Sequence, residues 1–326
     1  MIERIDVRID VTDVAPPGVT TLGARLVHDA SRADVDRGPV LCCFAGGGMS
    51  GRYFELGGTW DMAGHLAATG LTCLIVDHPG IGASDRPDDG WTQTPDVVAR
   101  TDALAVQRAL DGLRLGTLVD GLAPWPAPVP IGVGHSMGAL LVALQQARWA
   151  PFAGVVLLGH SGRGLPEVLT PDELAAAGDG ERIRAAIEGL ARVRFGDPLP
   201  AGNTAASEML VGPDLSTDAS RAIATAADAL LAMVGLAAML PGSHDAELAA
   251  LDVPVLLGVA EHDIVGPPHE APRWLAGSGD VTLHVLPGAF HNSNVAGRRT
   301  ELWDRIAEWS WWLVREAGRP EGERLP

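Results

Sequence analysis

The stretch VPIGVGHSMGALLVALQQA, residues 129–147, places a serine between two glycines where an apolar run changes into a helical pattern. Residues 129–134 are typical of a strand buried on both faces, and residues 137–149 have the apolar spacing of a helix. A serine hydroxyl is a weak nucleophile that must be presented to a base and a substrate. A sharp turn presents it, and side chains in place of the two glycines would collide with the adjacent strand and helix. The stretch therefore predicts a nucleophile at Ser136 in a G-x-S-x-G turn.

Short apolar runs alternate with helical patterns along much of the chain. Helices are predicted over residues 55–69, 95–111 and 137–149. In the N-terminal RIDVRIDV, apolar and polar residues alternate at period two, which predicts an edge strand with one solvent-exposed face. Near-continuous apolar runs, each typical of a strand buried on both faces, occupy residues 40–45, 71–77, 129–134, 152–159, 253–260 and 281–286. This alternation predicts an α/β fold with a mostly parallel sheet covered by helices.

Residues 161–250 interrupt the alternation, and we call them the helical insertion. They are rich in alanine and carry helical patterns near 171–194 and 216–240, without a strand-like run. Long insertions in α/β enzymes tend to lie over the carboxyl ends of the strands, where ligands bind. We therefore expect a core domain of residues 1–160 and 251–326, and a lid of residues 161–250.

One more helix is predicted near the C-terminus, over residues 299–316. Its apolar residues recur at helical spacing, so this stripe is expected to pack on the sheet. The stripe consists of Leu302, Ile306, Trp309 and Leu313, and it is widened by Trp303, Trp311 and Trp312.

Composition excludes several classes of function. The 326 residues carry a formal net charge of −17 and contain no lysine, so binding to nucleic acid or an anionic membrane is not expected. The missing lysine also excludes Schiff-base chemistry and a lysine-dependent phosphate loop. The N-terminus has no apolar signal region, and the longest apolar helical stretch, 229–240, is shorter than the ~20 residues of a membrane span. Cys42, Cys43 and Cys73 form no C-x-x-C pair. We expect a cytoplasmic protein with buried cysteines.

Two further stretches join the serine turn in a known pattern. CFAGGGMSGRYF, residues 43–54, is a glycine-rich loop after a predicted strand, and VDHPGIGASDRP, residues 76–87, follows the next strand. With the G-x-S-x-G turn, they resemble the α/β-hydrolase superfamily. The resemblance implies that residues 43–54 form an oxyanion loop and that residues 76–87 form a structural turn of D-x-P-G-x-G-x-S type. Ala45 stands where members often carry histidine.

The remaining members of the site follow two later predicted strands. GVAEHDIVGPP, residues 258–268, and LPGAFHNSN, residues 286–294, lie where the superfamily carries its acid and its histidine, in the chain order Ser, Asp, His. The resemblance therefore implies Asp263 and His291 as partners of Ser136. Glu261, two residues away, is the alternative acid.

The resemblance also implies the supporting groups of the site. Backbone amides of Met137 and Gly47 are the expected oxyanion donors, with Gly46 and Gly48 close alternatives. His160, at a strand end, is a weaker candidate for lining the substrate pocket. His135, within the serine turn, is expected only to pack. His262, Asp263 and His269 fit no recurring metal-site spacing, so neither a metal nor another cofactor is expected.

These residues predict a serine hydrolase of the esterase, lactonase or thioesterase type, acting on a hydrophobic small molecule through an acyl-enzyme on Ser136. Apolar residues of the insertion support an apolar pocket if part of their surface faces Ser136; they are Ile223, Leu230, Leu231, Met233, Val234, Leu236, Met239 and Leu240. A C–C bond hydrolase, or a non-hydrolytic acyl transfer, cyclisation or perhydrolysis, is compatible with the same residues. A non-catalytic small-molecule receptor is the alternative from another class. An oligomer is possible through the Trp-rich last helix.

Overall fold

The computed structural model describes residues 1–32, 37–202 and 207–317. Within them, eight strands form a single sheet: β1 (Ile2–Asp10), β2 (Thr21–Asp29), β3 (Val40–Phe44), β4 (Thr72–Val76), β5 (Pro130–His135), β6 (Gly154–Leu158), β7 (Val255–His262) and β8 (Val281–Phe290). Their spatial order is β1-β2-β4-β3-β5-β6-β7-β8. β1 and β2 are antiparallel to their neighbours, and all other pairs are parallel.

The buried apolar runs explain the parallel part of the sheet. Every residue of β3, β4 and β6 is buried, because helices cover both faces of these strands. The predicted α/β fold is therefore confirmed, and each of the six apolar runs contains a strand. The expectation of burial on both faces is wrong for β8, because it lies at the edge of the sheet and its residues 281–285 are only half-buried. β1 lies at the edge of the sheet, with Val7 and Ile9 buried between exposed neighbours, as its alternating pattern predicted.

Strand β2 has no counterpart in the sequence prediction. Its sequence TLGARLVHD contains neither a continuous apolar run nor a clean alternation. Arg25 interrupts it, and its guanidinium forms ion pairs with Asp6 on β1 and Glu55. The strand is therefore specified by pairing with β1 and β4 and by these charges, which local periodicity does not reveal.

Outside the insertion, the described residues contain four α-helices that flank the sheet: α1 (Met62–Ala68), α2 (Pro95–Leu115), α3 (Met137–Trp149) and α10 (Arg299–Ala317). Thr94 caps α2 by accepting a hydrogen bond from the Val97 amide, and Gly116 ends the helix in the left-handed conformation. The prediction for residues 55–69 is too long, because α1 begins only at Met62, where Asp61 caps it. The predicted stripe of α10 is buried.

In the described part of the helical insertion there are six helices: α4 (Pro171–Ala176), α5 (Gly180–Phe195), α6 (Glu208–Val211), α7 (Thr217–Ala224), α8 (Ala232–Met239) and α9 (Asp245–Ala249). The predicted helix 171–194 is thus two helices, because Gly178 adopts a positive φ of 82° and Asp179 caps α5. The predicted helix 216–240 is also two helices. The segment between them instead forms backbone hydrogen bonds with Gly48 and Pro200.

The insertion packs on two of the helices that flank the sheet, α2 and α3. Apolar residues of α5 and α8, among them Ile187 and Leu236, share one buried cluster with Val98 of α2 and Leu140 of α3. Much of the apolar surface of the insertion is therefore used to hold it in place. No helix of the described residues is long and apolar enough to cross a membrane.

Candidate active site

Ser136 lies at the turn between β5 and α3, at the carboxyl edge of the sheet. Its backbone has a φ of 54° and a ψ of −117°, a conformation that side-chain-bearing residues rarely adopt. The Ser136 amide donates to the carbonyl of Leu158 on the neighbouring strand. Ser136 lines a cavity at this edge of the sheet.

Gly134 and Gly138 make this turn possible. A Cβ at Gly134 would lie 2.4 Å from the Gly138 carbonyl oxygen, and a Cβ at Gly138 would lie 2.3 Å from the Phe44 carbonyl oxygen on β3. Both distances are well below van der Waals contact. The expectation that side chains here would collide with the adjacent strand and helix is confirmed.

His291 and Asp263 meet Ser136 in a single hydrogen-bonded line. The Nε2 of His291 lies 2.9 Å from the Ser136 Oγ, and its Nδ1 lies 2.7 Å from the Asp263 Oδ1. Because an ionised carboxylate only accepts, Nδ1 carries the hydrogen, and Nε2 is free to accept from the hydroxyl. The structure thus brings together the three residues that the sequence nominated.

Asp263 is buried yet held as an anion. Its side chain is 1% exposed, and the amides of Ala260 and Val265 donate to its two oxygens. Burial opposes the charge, but the attraction of His291 and these hydrogen bonds more than offset it, so the pKa of Asp263 is lowered. An anion in this position orients the imidazole of His291.

Glu261 has a different role from Asp263. It is exposed, and its carboxylate accepts a hydrogen bond of 2.7 Å from the Gly288 amide. The pairing between β7 and β8 shifts at this point, because β8 has extra residues opposite Glu261. Glu261 therefore stabilises an irregularity in β8 and does not contact His291.

His135 does more than fill space beside the serine. Its Nε2 lies 3.1 Å from the carbonyl oxygen of His291 and donates to it, and its ring stacks on Tyr53 at 4.4 Å between centroids. Burial, followed by repulsion from His291, lowers the pKa of His135 to about 3, so its ring is neutral. His135 thus helps to fix the loop that carries His291. Its position inside the turn was noted in the sequence, but its contact with a residue 156 positions away was not predictable.

The residues expected to supply the oxyanion donors are Met137 and the three glycines of the loop 46–48. Met137 is the first residue of α3, and the first amides of a helix have no acceptor within it. Gly47 and Gly48 line the cavity above Ser136, whereas Gly46 is not part of that lining. A Cβ at Gly46 would lie 2.8 Å from the His135 Nδ1, so this glycine is needed for close packing. The sequence also nominated Gly46, Gly48 and His160 as weak substrate contacts, and of these the structure places Gly48 and His160 in the cavity lining.

His160 lines the same cavity and is one of a buried pair of histidines. Its Nε2 lies 2.7 Å from the Nε2 of His244, whose Nδ1 lies 2.6 Å from the Ser243 hydroxyl. Burial lowers the pKa of His244 to about 4, and burial together with repulsion from His244 lowers that of His160 well below its usual value. The pair is therefore neutral, and it connects the carboxyl end of β6 to the helical insertion.

An apolar cavity of about 610 Å³ opens over Ser136 and His291. The insertion contributes much of its wall, including Leu165, Leu210, Leu230 and Met239. Of the eight apolar insertion residues nominated from the sequence, Leu230 and Met239 line the cavity, and the others serve the packing of the insertion. Within the described chain, no group of three or more histidine, cysteine, aspartate or glutamate side chains is arranged to hold a metal ion.

Comparisons with known proteins agree with this architecture. A family model described as the alpha/beta hydrolase family matches residues 40–301. No curated protein sequence matches the chain. A monoacylglycerol lipase from Paleococcus ferrophilus superposes with a TM-score of 0.59 at 20% identity, covering 96% of this chain and 99% of its own.

Two further solved structures superpose over similar lengths. A thermophilic esterase from Thermogutta terrifontis gives a TM-score of 0.60 at 17% identity, with 95% of this chain and 99% of its own covered. A proline iminopeptidase from Mycobacterium smegmatis gives a TM-score of 0.63 at 18% identity, with 96% of this chain and 100% of its own covered. At these identities the likeness shows a shared fold.

The close approach at Gly138 predicts a large cost for one added methyl group. We expect Gly138→Ala to lower the free energy of unfolding by about 1–3 kcal/mol, because Cβ would overlap the Phe44 carbonyl. Gly189→Ala is the matched control: it also lies in a helix, but nothing surrounds its Cβ within 4 Å, and we expect a gain of roughly 0.5–1 kcal/mol. Urea unfolding of both variants measures the difference, and equal effects would contradict the packing described.

The buried neutral histidines predict a loss of stability in mild acid. The pKa values of His135, His160 and His244 lie below the ordinary 6.5 in the folded protein. Below that pH the unfolded chain takes up protons that the folded chain does not, so stability falls as pH falls from about 6.5 towards 4. His244→Gln should reduce this slope by about 1.4 kcal/mol per pH unit. Urea unfolding at several pH values tests it, and an unchanged slope would be the opposing result.

Proposed function

The chain belongs to the alpha/beta hydrolase family, and on that basis we propose that it is a serine hydrolase acting through an acyl-enzyme on Ser136. The observation that carries the proposal is the line from Ser136 Oγ to His291 Nε2 at 2.9 Å and from His291 Nδ1 to Asp263 at 2.7 Å. This line lies at an apolar cavity large enough for a small molecule. A nucleophile, a base and an orienting acid in hydrogen-bond contact are the requirement for nucleophilic acyl transfer.

In the first half of the reaction, the Ser136 Oγ attacks the carbonyl carbon of the substrate while His291 Nε2 takes the hydroxyl proton. The charge that develops on the carbonyl oxygen is stabilised by the amides of Met137 and Gly47. His291 then gives its proton to the leaving alkoxide or thiolate, and the bond between the carbonyl carbon and the leaving group breaks. Asp263 stabilises the imidazolium that exists between these two transfers.

In the second half, water attacks the acyl carbon of the acyl-enzyme. His291 takes a proton from this water and returns it to the Ser136 Oγ as the ester bond to the enzyme breaks. The products are a carboxylic acid and the free hydroxyl of Ser136. Every proton moves through His291 Nε2, which needs the distance to Ser136 that the structure has.

The cavity favours an uncharged, hydrophobic substrate. Within the described part of the chain its lining contains no carboxylate, so a free ammonium group would have no anionic partner there. Arg194 is the cationic side chain of this lining, and its guanidinium already donates to Glu173 and to the Val168 carbonyl. We therefore propose carboxylic esters as the substrate class, with lactones and thioesters next. We also propose that the helical insertion acts as the lid of this cavity.

Substitution of the nucleophile is the first test. Ser136→Ala should leave the fold intact and lower kcat by on the order of 10⁶-fold, because the acyl-enzyme cannot form. The measurement is hydrolysis of 4-nitrophenyl esters, aryl thioesters and lactones of increasing acyl length by both proteins. Dependence of the rate on acyl length would then report the size of the acyl pocket.

Two results of this panel would contradict the proposal. An active, folded alanine variant would remove Ser136 from the reaction. Binding of panel members to the wild type without Ser136-dependent turnover would favour a receptor. Product analysis by mass spectrometry separates hydrolysis from transfer of the acyl group to another acceptor.

Substitution of the two neighbouring acids tests the assignment of Asp263. We expect Asp263→Asn to lower kcat by about 10⁴-fold, because the amide no longer holds the correct tautomer of His291 or stabilises its charge. Glu261→Gln is the matched control, and it should leave kcat essentially unchanged, since the amide oxygen can still accept from Gly288. Steady-state kinetics on the best ester measures both, and the reverse order of effects would transfer the role to Glu261.

A further inference from the structure

Among the described residues, a second buried imidazole–carboxylate pair lies outside the line from Ser136 to Asp263. His78, in the turn after β4, and Asp102, on α2, are 1% and 0% exposed. The His78 Nδ1 lies 2.7 Å from the Asp102 Oδ2. His78 is not part of the cavity lining. The pair therefore has no route to contact substrate, and its role must be exerted through the groups that surround it.

The other nitrogen of His78 faces the glycine-rich loop. Its Nε2 lies 3.2 Å from the carbonyl oxygen of Ala45, and its ring stacks on Phe44 at 5.7 Å between centroids. A carbonyl oxygen only accepts, so Nε2 must carry a hydrogen and donate it. This holds whether the proton between His78 and Asp102 is on the imidazole or on the carboxyl group.

Burial and the neighbouring charges favour keeping the proton that His78 and Asp102 share. Burial disfavours the charge of His78, but the Asp102 carboxylate and the Ala45 carbonyl outweigh it, and the pKa of His78 is raised. Burial also raises the pKa of Asp102, against the attraction of His78. Asp77 is the other carboxylate that acts on His78, and it favours the protonated ring as well.

The carbonyl of Ala45 controls the orientation of the next amide. The Ala45 oxygen and the Gly46 N–H belong to one planar trans peptide, so fixing the oxygen fixes the direction of that N–H and the start of the chain towards Gly47. A Cβ at Gly138 would lie 2.6 Å from the same oxygen. The Ala45 oxygen thus lies between His78 and the first turn of α3, where a small rotation of the peptide would displace the loop beside Ser136.

We propose that His78, held by Asp102, is a positioning residue for the oxyanion amides of the loop Gly46–Gly48. The inference rests on the proposed acyl transfer at Ser136. Stability alone does not account for the pair, because replacing a buried ion pair by apolar side chains of similar volume is often neutral or stabilising. The feature that apolar side chains could not supply is the N–H donor to Ala45.

The decisive variant removes both partners together. His78→Phe combined with Asp102→Leu retains the stacking on Phe44 and leaves no buried charge unpaired. We expect an unfolding midpoint close to that of the wild type, an unchanged KM for the best 4-nitrophenyl ester, and a kcat about 10- to 100-fold lower. The loss is smaller than the ~100- to 1,000-fold loss on removing an oxyanion donor outright, because the amides are displaced rather than absent.

Two further measurements separate positioning from a structural role. A trifluoromethyl ketone of the same chain length, which forms a tetrahedral adduct with the serine, should lose affinity for the double variant by the same factor as kcat. Asp102→Asn should retain most of kcat, because the Asn amide can donate to Nδ1 and leave Nε2–H on Ala45. If the double variant does not fold, His78→Phe combined with Asp102→Asn replaces it. Phe cannot donate to Ala45 and Asn carries no charge, so the same fall in kcat at constant KM is expected.

Failure of this inference is distinguishable from failure of the proposed function. Wild-type protein without Ser136-dependent turnover would overturn the proposed function. Ser136-dependent turnover with a wild-type kcat in the folded double variant, or in the folded His78→Phe, Asp102→Asn variant, would overturn only the positioning role. A loss confined to KM would do the same, because oxyanion donors act on the transition state rather than on the bound ester.

Discussion

The close approach of α3 to β3 at Gly138 is the constraint on which the rest of the site depends. With no side chain at Gly134 or Gly138, the chain can turn from β5 into α3 within one residue, and Ser136 takes the positive φ of 54°. Such a conformation costs on the order of 1–3 kcal/mol and persists only where the surroundings impose it. Here the buried strand, the buried helix and the hydrogen bond from Ser136 to Leu158 impose it.

A rigid serine is useful only if the imidazole is equally fixed. The loop that carries His291 is held by several buried polar groups besides Asp263. The Asn294 side chain donates to the Tyr53 carbonyl and accepts from the Trp303 indole on α10. The Tyr53 ring stacks on His135, whose Nε2 in turn donates to the His291 carbonyl. The C-terminal helix therefore contributes to the site through this chain of contacts, which explains one indole of its Trp-rich face.

How much of this was predictable depends on whether a signal is local. Buried parallel strands and the serine turn leave continuous apolar runs and glycines in the sequence, so both could be predicted. Strand β2 leaves no such trace, because it is specified in part by ion pairs of Arg25. The break between α7 and α8 leaves none either, because it depends on backbone hydrogen bonds from residues 228–230 to distant parts of the chain. The break at Gly178 was available in principle, since glycine followed by a capping aspartate ends one helix and begins another. The contacts of His135 and His78 join distant residues, and no spacing rule identifies them.

The glycine-rich loop, residues 43–54, has a local sequence signal but is held in place by distant residues. These residues contact it from two sides. On one side, His78 donates to Ala45. On the other, Ser50 donates to the Ala226 carbonyl and the Asp228 amide donates to the Gly48 carbonyl. The Asp228 carboxylate also accepts from Gly82, in the same turn that carries His78. The helical insertion is thus a structural support of this loop as well as a wall of the cavity, because removing it would leave the backbone groups of Gly48 and Ser50 without their partners.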